Sequence, residues 1–185
     1  MAKIHAGATL TPGFREFLPR WVARQPWYRG TPDPTLRPIG FYRFEDPAGE
    51  VGMESHLVTD GTDLCHVPLT YRGAPLPDAP AESLLATPDH SVLGTRWIYD
   101  GPVDPVWRAV VLDVVRTGGV SESAGRAGFG PAQARGVLSG PPGSRIEVVR
   151  VLTPGPPPAT GLAGTWHPDG PDAPAVTGCL AVVKI

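Results

Sequence analysis

Two Tyr-Arg-Gly tripeptides, Tyr28-Arg29-Gly30 and Tyr71-Arg72-Gly73, are the first residues whose types and spacing suggest chemistry. Each couples an aromatic face to a planar cation with several N–H donors. Sugars are held in this way, with ring C–H groups on the aromatic face and hydroxyls on a guanidinium or a carboxylate. Trp27 precedes the first tripeptide, and the run Arg96-Trp97-Ile98-Tyr99-Asp100-Gly101 adds two aromatics and an acid. Trp27, Tyr28, Arg29, Tyr71, Arg72, Trp97, Tyr99 and Asp100 therefore form the candidate set for contact with a sugar or a partner. The competing reading is structural, because Trp and Tyr at strand ends commonly close a core while arginines brace loops.

Other chemistries fail on residue type. Protein-kinase-like phosphoryl transfer needs a lysine on the phosphates, a catalytic aspartate and a metal-binding asparagine a few residues later. The chain contains no asparagine. His167-Pro168-Asp169 has the outline of a catalytic His-x-Asp, but a Gly/Pro-rich turn surrounds it, so a solvated turn carboxylate is expected. No phosphate loop ending in Gly-Lys-Ser/Thr occurs, and Gly128-Phe129-Gly130 lacks the third glycine and the preceding strand of a dinucleotide fingerprint. There is no Gly-x-Ser-x-Gly elbow. For a metal the chain offers only Cys65-His66, with His56 on the neighbouring strand, and adjacent strand residues face opposite ways. No metal or other cofactor is expected.

The elements that must position the candidates follow from hydrophobic spacing. Thr11-Pro12 reads as a helix start, and Phe14, Phe17, Leu18, Trp21 and Val22 make a buried stripe, with Pro19 expected to kink it. From Ile39 the period becomes two, predicting strands over Ile39 to Glu45, Val51 to Leu57 and Cys65 to Tyr71. Asp46-Pro47-Ala48-Gly49 and Asp60-Gly61-Thr62-Asp63 supply the turns, so neighbouring strands run antiparallel. A fourth strand is expected over Leu93 to Tyr99. Asp104-Pro105 starts a second amphipathic helix that Gly118-Gly119 ends. Strands are then predicted over Arg145 to Leu152, Leu162 to His167 and Val176 to Ile185, either completing the first sheet or forming one of their own.

These elements define an α+β fold: residues 1–117 as the main domain, 118–143 as a Gly/Pro/Ala-rich linker, and 144–185 as C-terminal strands. The 16 basic and 18 acidic residues are scattered singly over 185 positions, leaving no basic stripe for a nucleic acid or an anionic membrane. Cys65 and Cys179, far apart on strand-like runs, read as reduced thiols. With no apolar run long enough to span a bilayer and a polar start at Met1-Ala2-Lys3, the expected location is the cytoplasm.

With these residues in place, the chain resembles the N-terminal cap subdomain of actinobacterial maltokinases, and more closely the free-standing proteins similar to that cap. The resemblance is carried by Trp21 to Gly30 (WVARQPWYRG), Val67 to Leu76 (VPLTYRGAPL) and Leu93 to Gly101 (LGTRWIYDG) leading into Asp104-Pro105, and spans about residues 11–117. It implies a curved antiparallel sheet packed on a helix, rather like a cystatin, and a part of the kinase that does not itself do the chemistry. The last 40 or so residues have no place in it.

The resemblance implies a non-catalytic accessory or regulatory module of maltose, trehalose or α-glucan metabolism. Its partner would be a maltokinase, a trehalose synthase or another α-glucan enzyme, or its ligand a sugar. Two alternatives come from other classes. A glucan-remodelling enzyme of branching type would need two facing carboxylates, for which Glu54 and Asp100 are the candidates. A carrier of a lipophilic small molecule would need a large apolar pocket on the curved sheet.

Overall fold

A computed structural model describes residues 7–124, 130–141 and 143–185. Strand β1 (Leu10–Thr11) leads into helix α1 (Phe14–Val22). The helix begins later than Thr11-Pro12 would have it: Thr11 is committed to β1, and Gly13 takes the N-cap position, its N–H donating to Glu16 Oε1 at 2.9 Å. Phe17, Leu18, Trp21 and Val22 are buried, as the stripe requires, at about 1.5–3 kcal/mol per large apolar side chain.

Three long strands follow, β2 (Arg37–Phe44), β3 (Gly52–Thr59) and β4 (Leu64–Arg72), each antiparallel to the next. Aspartates set the turns between them. Asp46 accepts N–H bonds from Ala48, Glu50 and Val51, and Asp60 accepts from Thr62 and Asp63. Such Asx geometry replaces backbone partners that a tight turn cannot supply.

The short strands β5 (Leu84–Ala86), β6 (Asp89–His90), β7 (Gly94–Thr95) and β8 (Trp97–Asp100) come next. The fourth strand expected over Leu93 to Tyr99 is thus broken at Arg96. Thr95 pairs with Asp89 in a small β1–β6–β7 sheet, whereas Trp97 pairs with Arg72 of β4 in the main sheet. One segment serves two sheets.

Helix α2 (Pro105–Thr117) starts where the sequence places it, with Asp104 Oδ1 accepting from Val106 N at 2.9 Å and Gly118 in the left-handed region at φ 68°. The stretch expected as a linker, 118–143, holds strands β9 (Glu122–Ala124) and β10 (Gln133–Leu138) among its described residues. Strands β11 (Arg145–Val148), β12 (Thr160–Trp166) and β13 (Val176–Lys184) complete the chain. Gly128 and Phe129 of the glycine run lie outside the described residues.

The main sheet, in the order β5–β8–β4–β3–β2–β9, is a curved antiparallel half-barrel, and the fold is α+β. The C-terminal strands do not extend it. They join β10 in a second sheet, β10–β12–β13–β11. The half-barrel is apolar on both faces. Val58, Cys65, Val67, Leu69 and Ile98 pack on α1, whereas Ile39, Tyr42, Phe44, Met53 and Leu57 pack on α2 and the second sheet. Period-two alternation places Cys65 on the first face and His66 on the second, as the sequence requires.

Candidate functional site

The eight candidate residues do not converge on one point. The polar end of Tyr28 donates to Asp60 Oδ2 at 2.7 Å while Asp60 Oδ1 accepts from the β3–β4 turn, so the phenol locks the post-helix segment onto that turn. Burial and the adjacent Asp60 carboxylate push the phenol up to about 12, and the same bond holds Asp60 below its ordinary range. Arg29, one residue on, is exposed.

Arg72 grips Asp104 through two parallel bonds, Nε to Oδ2 at 2.6 Å and Nη2 to Oδ1 at 2.7 Å. Asp104 is fully buried and also caps α2, so a β4 side chain and a helix start share one carboxylate. Although burial raises it, the hydrogen bonds from Arg72 and Val106 leave its acidity stronger than usual. Tyr99 is buried, and its hydroxyl accepts from Leu76 N at 3.0 Å. Trp97 is half-buried opposite Arg72.

Asp100 and Trp27 meet through a residue the sequence reading did not single out. Arg150 forms a bidentate pair with Asp100, Nη1 to Oδ1 at 2.9 Å and Nη2 to Oδ2 at 2.5 Å, and its guanidinium carbon lies 6.0 Å from the Trp21 ring centre and 5.7 Å from that of Trp27. The backbone explains the meeting. His66 N donates to Arg150 O at 2.8 Å, Leu152 N donates to Leu64 O at 2.8 Å, and Cys65 bridges to Val151. Residues 150–152 therefore run along the first half of β4 while β8 runs along its second half, which sets Arg150 beside Asp100.

Tyr71 belongs to a fourth group, on the α1 face of the sheet. Its hydroxyl donates to Glu54 Oε2 at 3.0 Å, and Glu54 also lies 3.3 Å from His56 Nε2 and 3.6 Å from Arg43 Nε. Burial raises the Glu54 carboxyl, but the surrounding donors and cation outweigh it and hold the group below its ordinary range. Phe14 and Phe41 flank His56 with ring centres 4.7 and 6.0 Å away. Glu54 and Asp100, the pair a glycosidase-type reaction would need, are thus each tied to separate internal cations.

On the opposite face, His66 Nε2 pairs with Tyr42 OH at 2.8 Å and Nδ1 with Val149 O at 3.1 Å. Complete burial, with Arg150 nearby, lowers its pKa to about 3 and keeps the ring neutral. It is a structural bond between the half-barrel and the segment that follows β11.

The fold is that of a helix-clasping antiparallel half-barrel whose conspicuous aromatic and cationic residues fasten its own elements together. Over residues 21–104 the chain matches the family model of the maltokinase N-terminal cap domain, and the resemblance carried by the Trp21 to Gly30, Val67 to Leu76 and Leu93 to Gly101 segments holds. The match takes in five of the half-barrel's six strands, from the end of α1 to the cap of α2; β9, α2 and the second sheet lie beyond it. No curated protein matches the chain. No described helix is long and apolar enough to cross a membrane.

Proposed function

We propose that the chain is a non-catalytic accessory module of maltose, trehalose or α-glucan metabolism that acts by docking on a carbohydrate-active enzyme, with a maltokinase as the first candidate and a trehalose synthase as the second. The observation that carries this reading is the match of residues 21–104 to a maltokinase cap domain in a chain whose sequence lacks the lysine, aspartate and asparagine set of a phosphotransferase. Partner docking is favoured over sugar binding because, Arg29 apart, the candidate polar groups suited to sugar hydroxyls are engaged internally. Tyr28 is held by Asp60, Arg72 by Asp104, Asp100 by Arg150 and Tyr71 by Glu54. A sugar would have to exchange those short bonds for its own, at little net gain.

The test is reconstitution. Purified protein mixed with maltokinase from the same organism is expected to co-elute as a defined complex on size exclusion, while maltooligosaccharide titration leaves its tryptophan fluorescence unchanged and ATP is not consumed with maltose present. Absence of a complex with maltokinase, trehalose synthase and glucan-branching enzyme alike would reject the proposal, as would ATP turnover by the isolated chain.

A further inference from the structure

Unpaired positive charge gathers at one end of α1. Residues 7–37 carry five arginines against two carboxylates, whereas residues 38–185 carry ten basic residues against 16 acidic ones. The first helix and the segment after it are thus basic on an otherwise acidic protein. Arg20, Arg24 and Arg29 are exposed, and none of them forms an ion pair among the described residues. The carboxylates of the neighbouring elements are engaged elsewhere or unpaired. Glu16 accepts from Gly13 N, Asp60 accepts from Tyr28, Thr62 and Asp63, and Glu82 meets Trp21 only through its backbone oxygen.

The backbone brings the three arginines to one place. Arg20 and Arg24 are four residues apart across the end of α1, where Arg24 N donates to Trp21 O at 3.1 Å. Tyr28 N then donates to Gln25 O at 3.1 Å, closing a turn that Arg24 enters and Arg29 leaves. Trp27 stands at the corner of that turn. Its ring centre lies 6.2 Å from that of Trp21 and 5.7 Å from the Arg150 guanidinium, yet it is only half-buried. Its indole N–H has no hydrogen-bond partner among the described residues. The bond from Tyr28 to Asp60 pins the turn, so these groups are in position before any partner arrives. Attraction to the negative end of α1 accounts for Arg20 and Arg24, but Arg29 lies past the helix and gains nothing from it.

We infer that Trp27 with Arg20, Arg24 and Arg29 docks a short acidic segment of a partner protein, its carboxylates on the guanidinium groups and an apolar side chain on the open part of the indole. Trp and Arg are the residue types that dominate binding energy at protein interfaces. A nucleic acid or an anionic membrane would extend past this patch onto the acidic remainder of the chain, whereas a short segment would not. This rests on the accessory-module reading and gives it a surface. The probe is a short synthetic peptide of Asp and Glu around one central Phe, with the Asn/Gln peptide of the same pattern as its control. NMR on the full chain is expected to show the Trp27 indole resonance shifted by the acidic peptide, affinity for the control lower by about tenfold or more, and binding that weakens as salt is added.

Arg24→Glu and Arg29→Glu alter exposed side chains outside the core, so R24E/R29E should keep the wild-type urea midpoint and weaken the acidic peptide by about tenfold or more. R24Q/R29Q, which removes the charge without reversing it, should fall between the two. Equal affinity for both peptides, an unshifted Trp27 indole, or unaltered binding by both double variants would overturn the inference. So would single-stranded DNA or anionic vesicles that bind through these arginines more tightly than the peptide, which would assign the patch to another class of partner. The two proposals fail separately. A maltokinase complex that survives R24E/R29E defeats the patch alone, whereas acidic-peptide binding without any enzyme complex defeats the metabolic role alone.

Discussion

Replacing Arg150 with methionine tests how far the C-terminal segment is fastened to the half-barrel by one side chain. Methionine keeps an unbranched stem near Trp21 and Trp27 and removes only the charged fork, so the loss reports the ion pair rather than a cavity. The two side chains are 15 % and 13 % exposed, and both Asp100 oxygens bond to the guanidinium. Stranding one partner of a buried pair costs about 3–5 kcal/mol, and partial solvent access argues for the lower end. Loss of the guanidinium over two indole rings adds about 0.5–1 kcal/mol. R150M should therefore lose about 3–4 kcal/mol, which lowers the urea midpoint by roughly 1.5–2 M for a slope of about 2 kcal/mol/M.

Urea unfolding followed by tryptophan fluorescence measures this directly. D100N/R150M should recover much of the loss, because the stranded charge is gone, leaving a coupling energy of about 1.5 kcal/mol or more in the double-mutant cycle. The pH dependence carries a sign. Burial already raises the Asp100 carboxyl and Arg150 opposes that rise, so removing Arg150 raises it further. A carboxyl raised on folding favours the folded state when protonated, and that contribution is lost as pH climbs through the folded pKa. The R150M defect should accordingly shrink as pH falls from neutrality into the carboxylate range. A loss under about 1 kcal/mol, purely additive mutations, or a defect independent of pH would refute the argument.

His66 has a folded pKa of about 3 against an ordinary 6.5, so the unfolded chain takes up its proton first. Stability should therefore fall as pH drops below about 6.5, by up to ~1.4 kcal/mol per pH unit from this residue, and H66Q should lessen the slope in acid titrations. Asp104→Ala removes a helix cap and strands Arg72, and calorimetry should register a loss of about 3 kcal/mol, with Asp104→Asn recovering part of the cap. At Gly136 of β10 a Cβ would fall 1.9 Å from Val114 O, so G136A must push α2 off the second sheet; a loss of about 2 kcal/mol or more is expected, and an unchanged melting temperature would contradict the close approach. Tyr28→Phe removes the bond to Asp60 and should cost about 1–2 kcal/mol, with faster amide exchange at Thr62 and Asp63, whose N–H groups share that carboxylate.

What could be read from the sequence was what depends on near neighbours. The stripe of α1, the alternation of β2, β3 and β4, and the Asp104-Pro105 start of α2 each rest on spacing within a few residues. What could not be read was pairing at a distance. Nothing near Arg150 predicts that it lies beside Asp100, since a different element, residues 150–152, must first align along β4. Gln133–Leu138 was hidden by its composition: the glycine and alanine that suggested a linker are what permit close contact with α2, as the Gly136 approach to Val114 shows. Thr11 has the chemistry of a cap, yet a two-residue pairing with β6 claims its backbone. Tyr28, Tyr71 and Arg72 of the two tripeptides were conspicuous for a structural reason, each ending in a bond that ties two elements together, whereas Arg29 is exposed.

The cap-type stretch could not stand alone in this form. Ile39, Tyr42, Phe44, Met53 and Leu57 all face away from α1, and each is 5 % exposed or less only because α2 and the second sheet lie over them. Remove those elements and five large apolar side chains would meet water on one face, at about 1.5–3 kcal/mol apiece, more than a domain of this size has to spare. A cap built into a larger enzyme could cover such a face with the rest of its own chain; here residues 105–185 provide the cover.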